Sequence, residues 1–460
     1  MNADQTRKRR CRAPHVAMSG AMLGMAVLAV AMSAWGATGD PGAQAPAAST
    51  PWFAYYGQAT YTEQATDGFH APYSAGNSLS PHIARETFDL TLFLGAHLWQ
   101  GGEIWMSPEI DQGFGLDDTV GLAGFSSGEA YKVGRSTPYY RLQRAFVRET
   151  FDLGGASTVP DAGPNQFAFA SSSNRLVVTA GKLSVVDIFD VNRYAHDPRA
   201  DFLNWSVIDA GTFDYAADSW GYSAGGAAEW YVGNWTTRAG LFELSTVPNG
   251  ETLEPGLEGY QMDVELEHRH ELFGQVGKLD VTAFESRGRM ALLAQAVAYA
   301  QAAELPVELA PVRQYRKRDG ISLNLEQPLG ADLGVFVRLG SAAGDVETYE
   351  FTDIDRTASG GVSLNGRRWG RSGDTVGLAG VDNAISNPQR NYLAAGGLAT
   401  LVGDGRLPHP GNEQILEGYY EAAVISAFTA TLDAQWVQNP AYNRDRGPVA
   451  IYALRLHAGW

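Results

Sequence analysis

The chain ends in a segment whose apolar side chains occupy every second position. The apolar positions are Tyr452, Leu454, Leu456, Ala458 and Trp460, with Ala453, Arg455, His457 and Gly459 between them. Because successive side chains of a strand point to opposite faces of a sheet, this segment predicts a strand with one wholly apolar face. Such a face packs either into the core of a soluble β-sandwich or propeller, or against the lipid around a transmembrane barrel.

The same alternation recurs in earlier segments that turns join into hairpins. Residues 222–230 pair with 235–242 in this way, residues 321–326 pair with 333–339, and 416–424 repeats the pattern. In each segment the apolar face opposes a face of polar or small residues, which in a barrel would line the lumen. The candidate lumen residues are Glu229, Arg238, Glu326, Arg338, Glu417, Tyr419 and Glu421.

The final aromatic residue favours the barrel. A C-terminal strand that ends on Phe or Trp resembles the assembly signal of bacterial outer-membrane barrels, so Tyr452 and Trp460 are predicted to act in assembly. Residues 46–460, at roughly 26 residues per strand with loops included, give about 16 strands, enough for an aqueous channel. We expect an all-β fold, a transmembrane antiparallel β-barrel, with one short helix in the alanine-rich loop Met290–Leu305.

The first 45 residues are typical of an export signal. Five basic residues precede an apolar stretch from about Val16 to Trp35, although an uncleaved anchor helix is the alternative. The single cysteine, Cys11, lies before that stretch, whereas a lipid-attachment cysteine would follow it. We therefore expect a signal peptide at 1–45, a linker at 46–51 and a barrel domain at 52–460.

The charge balance limits the partners and cofactors. The formal net charge is −17, and loss of residues 1–45, with five basic and two acidic side chains, would make the chain more acidic. An acidic chain repels nucleic acid. His268 and His270 lie two residues apart on one strand face, but a metal site needs a third ligand that the neighbouring sequence does not supply. We expect no nucleic-acid partner, no metal and no cofactor.

Three stretches resemble the carbohydrate-selective porin family of OprB type. They are Pro108–Leu116 with the glycine-rich residues that follow to Gly134, Asp187–Tyr194 with Phe202–Trp205 and Phe213–Ala216, and Asn439–Pro448 before the final strand. The resemblance implies a 16-stranded channel in the outer membrane of a Gram-negative bacterium that passes sugars by diffusion. It also implies that mono- and oligosaccharides, outer-membrane lipids and the barrel-assembly machinery are the partners.

The stretch from Asp187 to Trp205 is dense in charged and aromatic residues and allows two interpretations. It is either a loop fixed by internal ion pairs or a constriction loop that folds inward and offers side chains to solute. The constriction-loop candidates are Asp187, Asp190, Arg193 and Trp205. The basic run from Arg313 to Arg318 is likewise open, between a stripe near the channel mouth or wall and a cluster at a periplasmic turn.

Three other functions compete with a sugar-selective channel. A general porin would share every feature above. A barrel enzyme would need a nucleophile, but the G-x-S-x-G match at Ser223 lies inside unbroken strand alternation and not at a strand–turn–helix elbow. A plugged structural barrel would need a large inserted domain, and the longest irregular stretch, about 345–415, is glycine-rich and typical of loops.

Overall fold

A computed structural model describes residues 50–130 and 133–460, in which sixteen antiparallel strands close into a barrel. The strands are β1 (Phe53–Thr66), β2 (Ala84–Trp99), β3 (Gly102–Gly113), β4 (Arg135–Thr158), β5 (Ser171–Leu183), β6 (Ser223–Val232), β7 (Trp235–Glu243), β8 (Tyr260–Leu272), β9 (Gln275–Met290), β10 (Gln314–Pro328), β11 (Leu333–Ala342), β12 (Arg356–Asn365), β13 (Thr375–Ala384), β14 (Glu413–Ile425), β15 (Phe428–Gln438) and β16 (Val449–Gly459). The predicted signal peptide, 1–45, and most of the linker lie outside the described residues.

The first and last strands pair and close the barrel. Tyr61 of β1 lies opposite Leu456 of β16 in the antiparallel register. At the end of this pair, the backbone amides and carbonyls of Gly57 and Trp460 exchange two hydrogen bonds, both of 3.0 Å. The predicted barrel of about 16 strands is therefore confirmed, and closure leaves the sheet without an edge.

Alternation along each strand separates a lipid-facing surface from a polar interior. Leu339 and Leu416 are exposed on the outside, whereas the neighbouring Arg338 and Glu417 are fully buried inside. The arrangement follows from energetics, because an arginine on the lipid face near the midplane costs roughly 2–4 kcal/mol. Within the described ranges, we find no helix of the length and hydrophobicity needed to cross a membrane.

The connections differ in length between the two ends of the barrel. At one end they are mostly tight, as at Gly233–Asn234, while the other end carries long loops such as 184–222 and 385–412. Short turns are typical of the periplasmic side and long loops of the extracellular side. The basic run from Arg313 to Arg318 lies at the long-loop end, so its interpretation as a periplasmic turn cluster is wrong.

The loops contain more regular structure than the sequence predicted. The expected helix is present as α2 (Leu293–Ala303), but α1 (Trp205–Ile208) and α3 (Asn387–Ala394) were not predicted. The stretch 345–415, interpreted as irregular, contains β12, β13 and α3. Aromatic side chains of the long loops, including Phe213 and Tyr349, are fully buried inside the barrel and form much of its core.

Candidate functional site: the lumen loop and the arginine row

The loop between β5 and β6, residues 184–222, crosses the interior of the barrel and is called the lumen loop here. Arg338 of β11 binds the loop near its start and again near its middle. The guanidinium donates to the carboxylate of Asp190 at 3.2 Å and to the backbone oxygens of Asp190 and Val207 at 3.1 and 2.8 Å. A charge-assisted bond of this kind, fully buried, is among the stronger contacts that can hold a loop.

Two further side chains from distant strands hold the middle of the loop, residues 198–204. Glu417 of β14 accepts hydrogen bonds from the backbone amides of Leu203 and Asn204, at 2.5 and 3.2 Å. Arg455 of β16 donates to the backbone oxygens of Pro198 and Asp201, both at 2.7 Å. The lumen loop is therefore bonded to strands on several sides of the barrel.

Several of the predicted site residues are buried in contacts of the lumen loop. Arg338, Glu417 and Asp190 are buried where they bind one another or the loop backbone. Trp205 stacks on Phe125, with ring centroids 5.1 Å apart, and is also buried. The ring of Tyr419 packs edge-on against Phe202 at 4.9 Å beneath the loop. Direct contact of these residues with sugar stays a prediction, and their geometry favours a positioning role.

The remaining predicted lumen residues form ion pairs along the wall. Arg238 of β7 contacts Glu229 at 3.0 Å and also Glu265 and Glu267 of β8, at 2.6 and 2.8 Å. Glu421 of β14 lies 3.4 Å from Arg455. These charges therefore face the interior as members of ion-paired clusters.

Two residues predicted on separate elements meet at the loop. Glu326 of β10 accepts a hydrogen bond of 2.6 Å from the backbone amide of Arg193. The side chain of Arg193 is exposed and lies near the ring of Tyr194, 5.7 Å from its centroid. Arg193 is thus held through its backbone, which leaves its guanidinium accessible.

A row of arginines on β4 faces the interior and was missed by the sequence analysis. Arg141, Arg144 and Arg148 keep 21%, 15% and 17% of their side chains exposed, unlike the buried Arg338. Arg141 and Arg144 share a face although three positions separate them, because β4 carries a bulge opposite Ser107. We call these three residues the arginine row.

Carboxylates of the lumen loop lie against this row. Arg144 donates two hydrogen bonds, of 2.7 and 2.6 Å, to the carboxylate oxygens of the predicted loop residue Asp187. Asp218 lies 2.9 Å from Arg141 and 3.1 Å from Lys182 of β5. Cations of the wall and anions of the loop therefore face each other over a short distance, which produces a strong local field.

Two aromatic side chains complete the site. The guanidinium of Arg141 lies 3.4 Å from the ring centroid of Trp220, whose Nε1 donates to the hydroxyl of Tyr139 at 3.0 Å. The ring of Tyr222 lies 5.0 Å from the guanidinium of Arg144. Rings beside charged hydrogen-bonding groups are suited to molecules that have both apolar C–H faces and hydroxyls.

A model of the carbohydrate-selective porin family OprB matches residues 81–459 of the sequence. The chain belongs to this family. Porins of the OprB family lie in the outer membrane of Gram-negative bacteria, and this porin is placed there with them. No curated protein sequence matches it closely enough to count as a relative.

One solved structure supports the same fold. The high-pH structure of OprB from Pseudomonas putida superposes with a TM-score of 0.68 at 14% identity, covering 89% of this chain and 94% of that one. The outer-membrane channel DcaP of Acinetobacter baumannii gives a TM-score of 0.48 at 8% identity, with 89% and 97% covered. At 14% identity the likeness to the Pseudomonas putida structure concerns the fold alone.

The electrostatics of this OprB-family porin centre on Arg199 in the lumen loop. Its guanidinium lies 3.4 Å from Asp89 and 3.3 Å from Glu129. Burial alone would lower the pKa of Arg199, but the carboxylates of Asp89, Glu129 and Glu109 outweigh it and raise the pKa well above its usual range. Arg199 is therefore a permanent cation that joins the loop to the wall opposite β11.

Proposed function

We propose that this OprB-family porin passes neutral sugars by passive diffusion between the lumen loop and the arginine row. The observation that carries the proposal is the combination of partly exposed guanidinium groups, carboxylates and aromatic rings at one place: Arg141 with Trp220, and Arg144 with Asp187. Membership of this family supports diffusion through a channel over catalysis by a barrel enzyme. In line with this, the hydroxyl of Ser223 is buried and donates to the backbone oxygen of Glu243 at 2.6 Å.

The wall chemistry explains a preference for sugars over ions. Sugar hydroxyls can replace water at the guanidinium and carboxylate groups at small cost, since both kinds of hydrogen bond are charge-assisted. The C–H faces of the sugar ring can contact the small accessible parts of Trp220 and Tyr222, which keep 6% and 7% of their surface exposed. An ion or zwitterion instead meets a field that changes sign across the passage. Binding must stay weak, because a solute that binds tightly does not leave the channel.

The other predicted residues support this function from a distance. Glu229, Arg238 and Glu421 would contribute to the polar wall, while Arg338 and Glu417 hold the lumen loop in place. Signal removal at about residue 45 would release a barrel of residues 52–460 for insertion by the assembly machinery. The exposed rings of Tyr452 and Trp460 lie on the outer surface, where lipid contact and recognition during assembly would occur.

Liposome swelling tests this proposal directly. Glucose, a disaccharide and amino acids of matched size are compared on the wild type, on Trp220→Leu and on Trp230→Leu, a control on the outer surface. We expect faster entry of sugars than of amino acids, and a loss of this preference in Trp220→Leu alone. Rates that depend only on solute mass in all three proteins would identify a general porin and refute sugar selectivity.

A further inference from the structure

The β4–β5 hairpin extends beyond the rim of the barrel at the short-turn end. Pairing of β3 with β4 ends at Glu149, and pairing of β6 with β5 ends at Arg175. The pairing of β4 with β5, however, continues as far as Thr158 and Ser171. A two-stranded ribbon therefore projects on the side that is typically periplasmic.

Two glycines bend this ribbon. Gly154 and Gly155 have φ angles of +104° and +101°, which only glycine adopts readily. The register of β4 against β5 shifts on both sides of Gly154. Bulges of this kind bend a strand and increase its twist. The segment that follows, residues 159–170, returns to the mouth of the barrel, and we call it the exit flap.

Aromatic packing seats the exit flap on the inner wall. Phe167 is almost fully buried, with its ring centroid 4.9 Å from that of Trp105 on the inner face of β3. Phe169 stacks on His97 of β2 at 5.2 Å. Trp105 itself lies flat over Gly95, where an added Cβ would come within 2.6 Å of the ring. The flap therefore covers an aromatic surface that would otherwise face water inside the mouth.

Hydrogen bonds fix the flap in the same position. The backbone amide of Phe167 donates to the carboxylate of Glu103 at 3.2 Å, and Arg148 donates to the backbone oxygen of Asn165 at 2.8 Å. The side chains of Ser107 and Asn165 are 3.3 Å apart. Arg148 is the last member of the arginine row, so the flap lies directly after that row along β4.

We propose that the exit flap forms a second constriction, at the periplasmic mouth, which sets the upper size of the sugars that leave the channel. The inference rests on the proposed passage of sugars. Its geometric basis is separate: the residues from Val159 to Asp161 are exposed, whereas Phe167 and Phe169 are buried against the wall. The flap therefore occupies part of the mouth and is held there mainly by two aromatic rings outside the strand ladder.

A disulfide lock tests whether the flap is seated as described. Ser107→Cys with Asn165→Cys places two thiols side by side, and the sequence has only one other cysteine, Cys11, within the predicted signal peptide. We expect the pair to cross-link under oxidising conditions in folded barrels, with single-channel conductance equal to that of the wild type. Failure of the pair to cross-link in heat-modifiable, folded protein would overturn the seating.

A release variant tests whether the flap limits size. Phe167→Ala combined with Phe169→Ala removes the packing and leaves all sixteen strands unchanged. We expect larger single-channel conductance and access for neutral polyethylene glycols that the wild type excludes. Combining these changes with the lock should restore the wild-type limit.

The polymer measurement separates this inference from the proposed function. Equal swelling rates for sugars and amino acids would refute sugar selectivity and leave the size limit for neutral polymers readable. An unchanged conductance and an unchanged polymer limit in the release variant would show that the flap lies outside the solute path and would overturn the inference.

Discussion

Replacement of Arg338 by methionine should loosen the lumen loop without unfolding the barrel. The change removes three hydrogen bonds and leaves the carboxylate of Asp190 buried, with the backbone amide of Ala210, at 2.6 Å, as a remaining donor. Breaking a buried ion pair by removing one partner costs about 3–5 kcal/mol. The cost should fall on the loop, because the strand ladder of β11 does not involve the arginine side chain.

The magnitude is large enough to change the behaviour of single channels. A loss of about 3 kcal/mol raises the ratio of detached to seated loop by roughly two powers of ten. We expect single-channel recordings of Arg338→Met to show higher conductance with frequent transitions, and faster swelling with oligosaccharides. Heat-modifiable mobility on a gel, which reports barrel folding, should stay that of the wild type.

The conductance defect of Arg338→Met should become smaller at low pH. Burial already raises the pKa of Asp190, and the guanidinium of Arg338 opposes that rise. Without the arginine the carboxyl should take up a proton at higher pH, which removes the buried charge. The defect should therefore shrink as the pH falls, and Asp190→Asn in the same chain should reduce it at every pH.

Arg287→Met serves as the matched control, because Arg287 lies on β9 outside the lumen loop and its anchors. We expect wild-type conductance from it. Arg338→Met channels that are quiet and of wild-type conductance at neutral pH would refute the assignment of Arg338 as the main anchor of the loop.

Three further changes test other parts of the molecule. Gly57→Val should lower the yield of folded barrel on a heat-modifiability gel, since an added Cβ would lie 2.3 Å from the ring of Trp460; normal yield would contradict their packing. Burial, and then the carboxylate of Asp197, raises the pKa of Asp201 to about 6, so the seated loop favours the protonated form of this carboxyl. Loop stability should therefore fall as the pH rises from about 4 to 6. Conductance noise that does not change over this range would count against this. Arg144→Gln should reduce glucose swelling rates several-fold at unchanged folding, whereas an unchanged rate would exclude the arginine row from the passage.

The sequence was sufficient for the strands in which alternation is regular. Around β11, Val337 and Leu339 were expected outside and Arg338 inside, and the structure has them so. A one-residue shift would place every side chain on the wrong face, so a regular pattern determines the register. The closed architecture followed from the same rule applied to β16.

Two kinds of local geometry could not be predicted from the alternation of apolar and polar residues. The bulge in β4 brings Arg141 and Arg144 to one face, although their spacing contradicts a period of two. In β12 and β13 the outward positions include Gly360, paired with Gly380, which carry no side chain and so give no alternation signal. The arginine row was therefore not predicted, and residues 345–415 were interpreted as irregular.

The burial of the loop could not be predicted from its own residues. Asp190 and Trp205 have the composition of a solute-binding site, but their partners, Arg338 and Phe125, lie far away along the chain. Only the closed barrel brings them together. Whether a polar residue on a lumen face anchors the loop or stays accessible to solvent therefore depends on contacts with residues far away in the sequence.

The positions of the loop anchors along the chain link the narrowing of the pore to closure of the barrel. The lumen loop precedes β6, yet it is held by Arg338 of β11, Glu417 of β14 and Arg455 of β16. Strands β1 to β10 supply none of these three groups. The last of them lies on β16, the strand that pairs with β1, so the complete set of loop anchors is brought together only when the barrel closes.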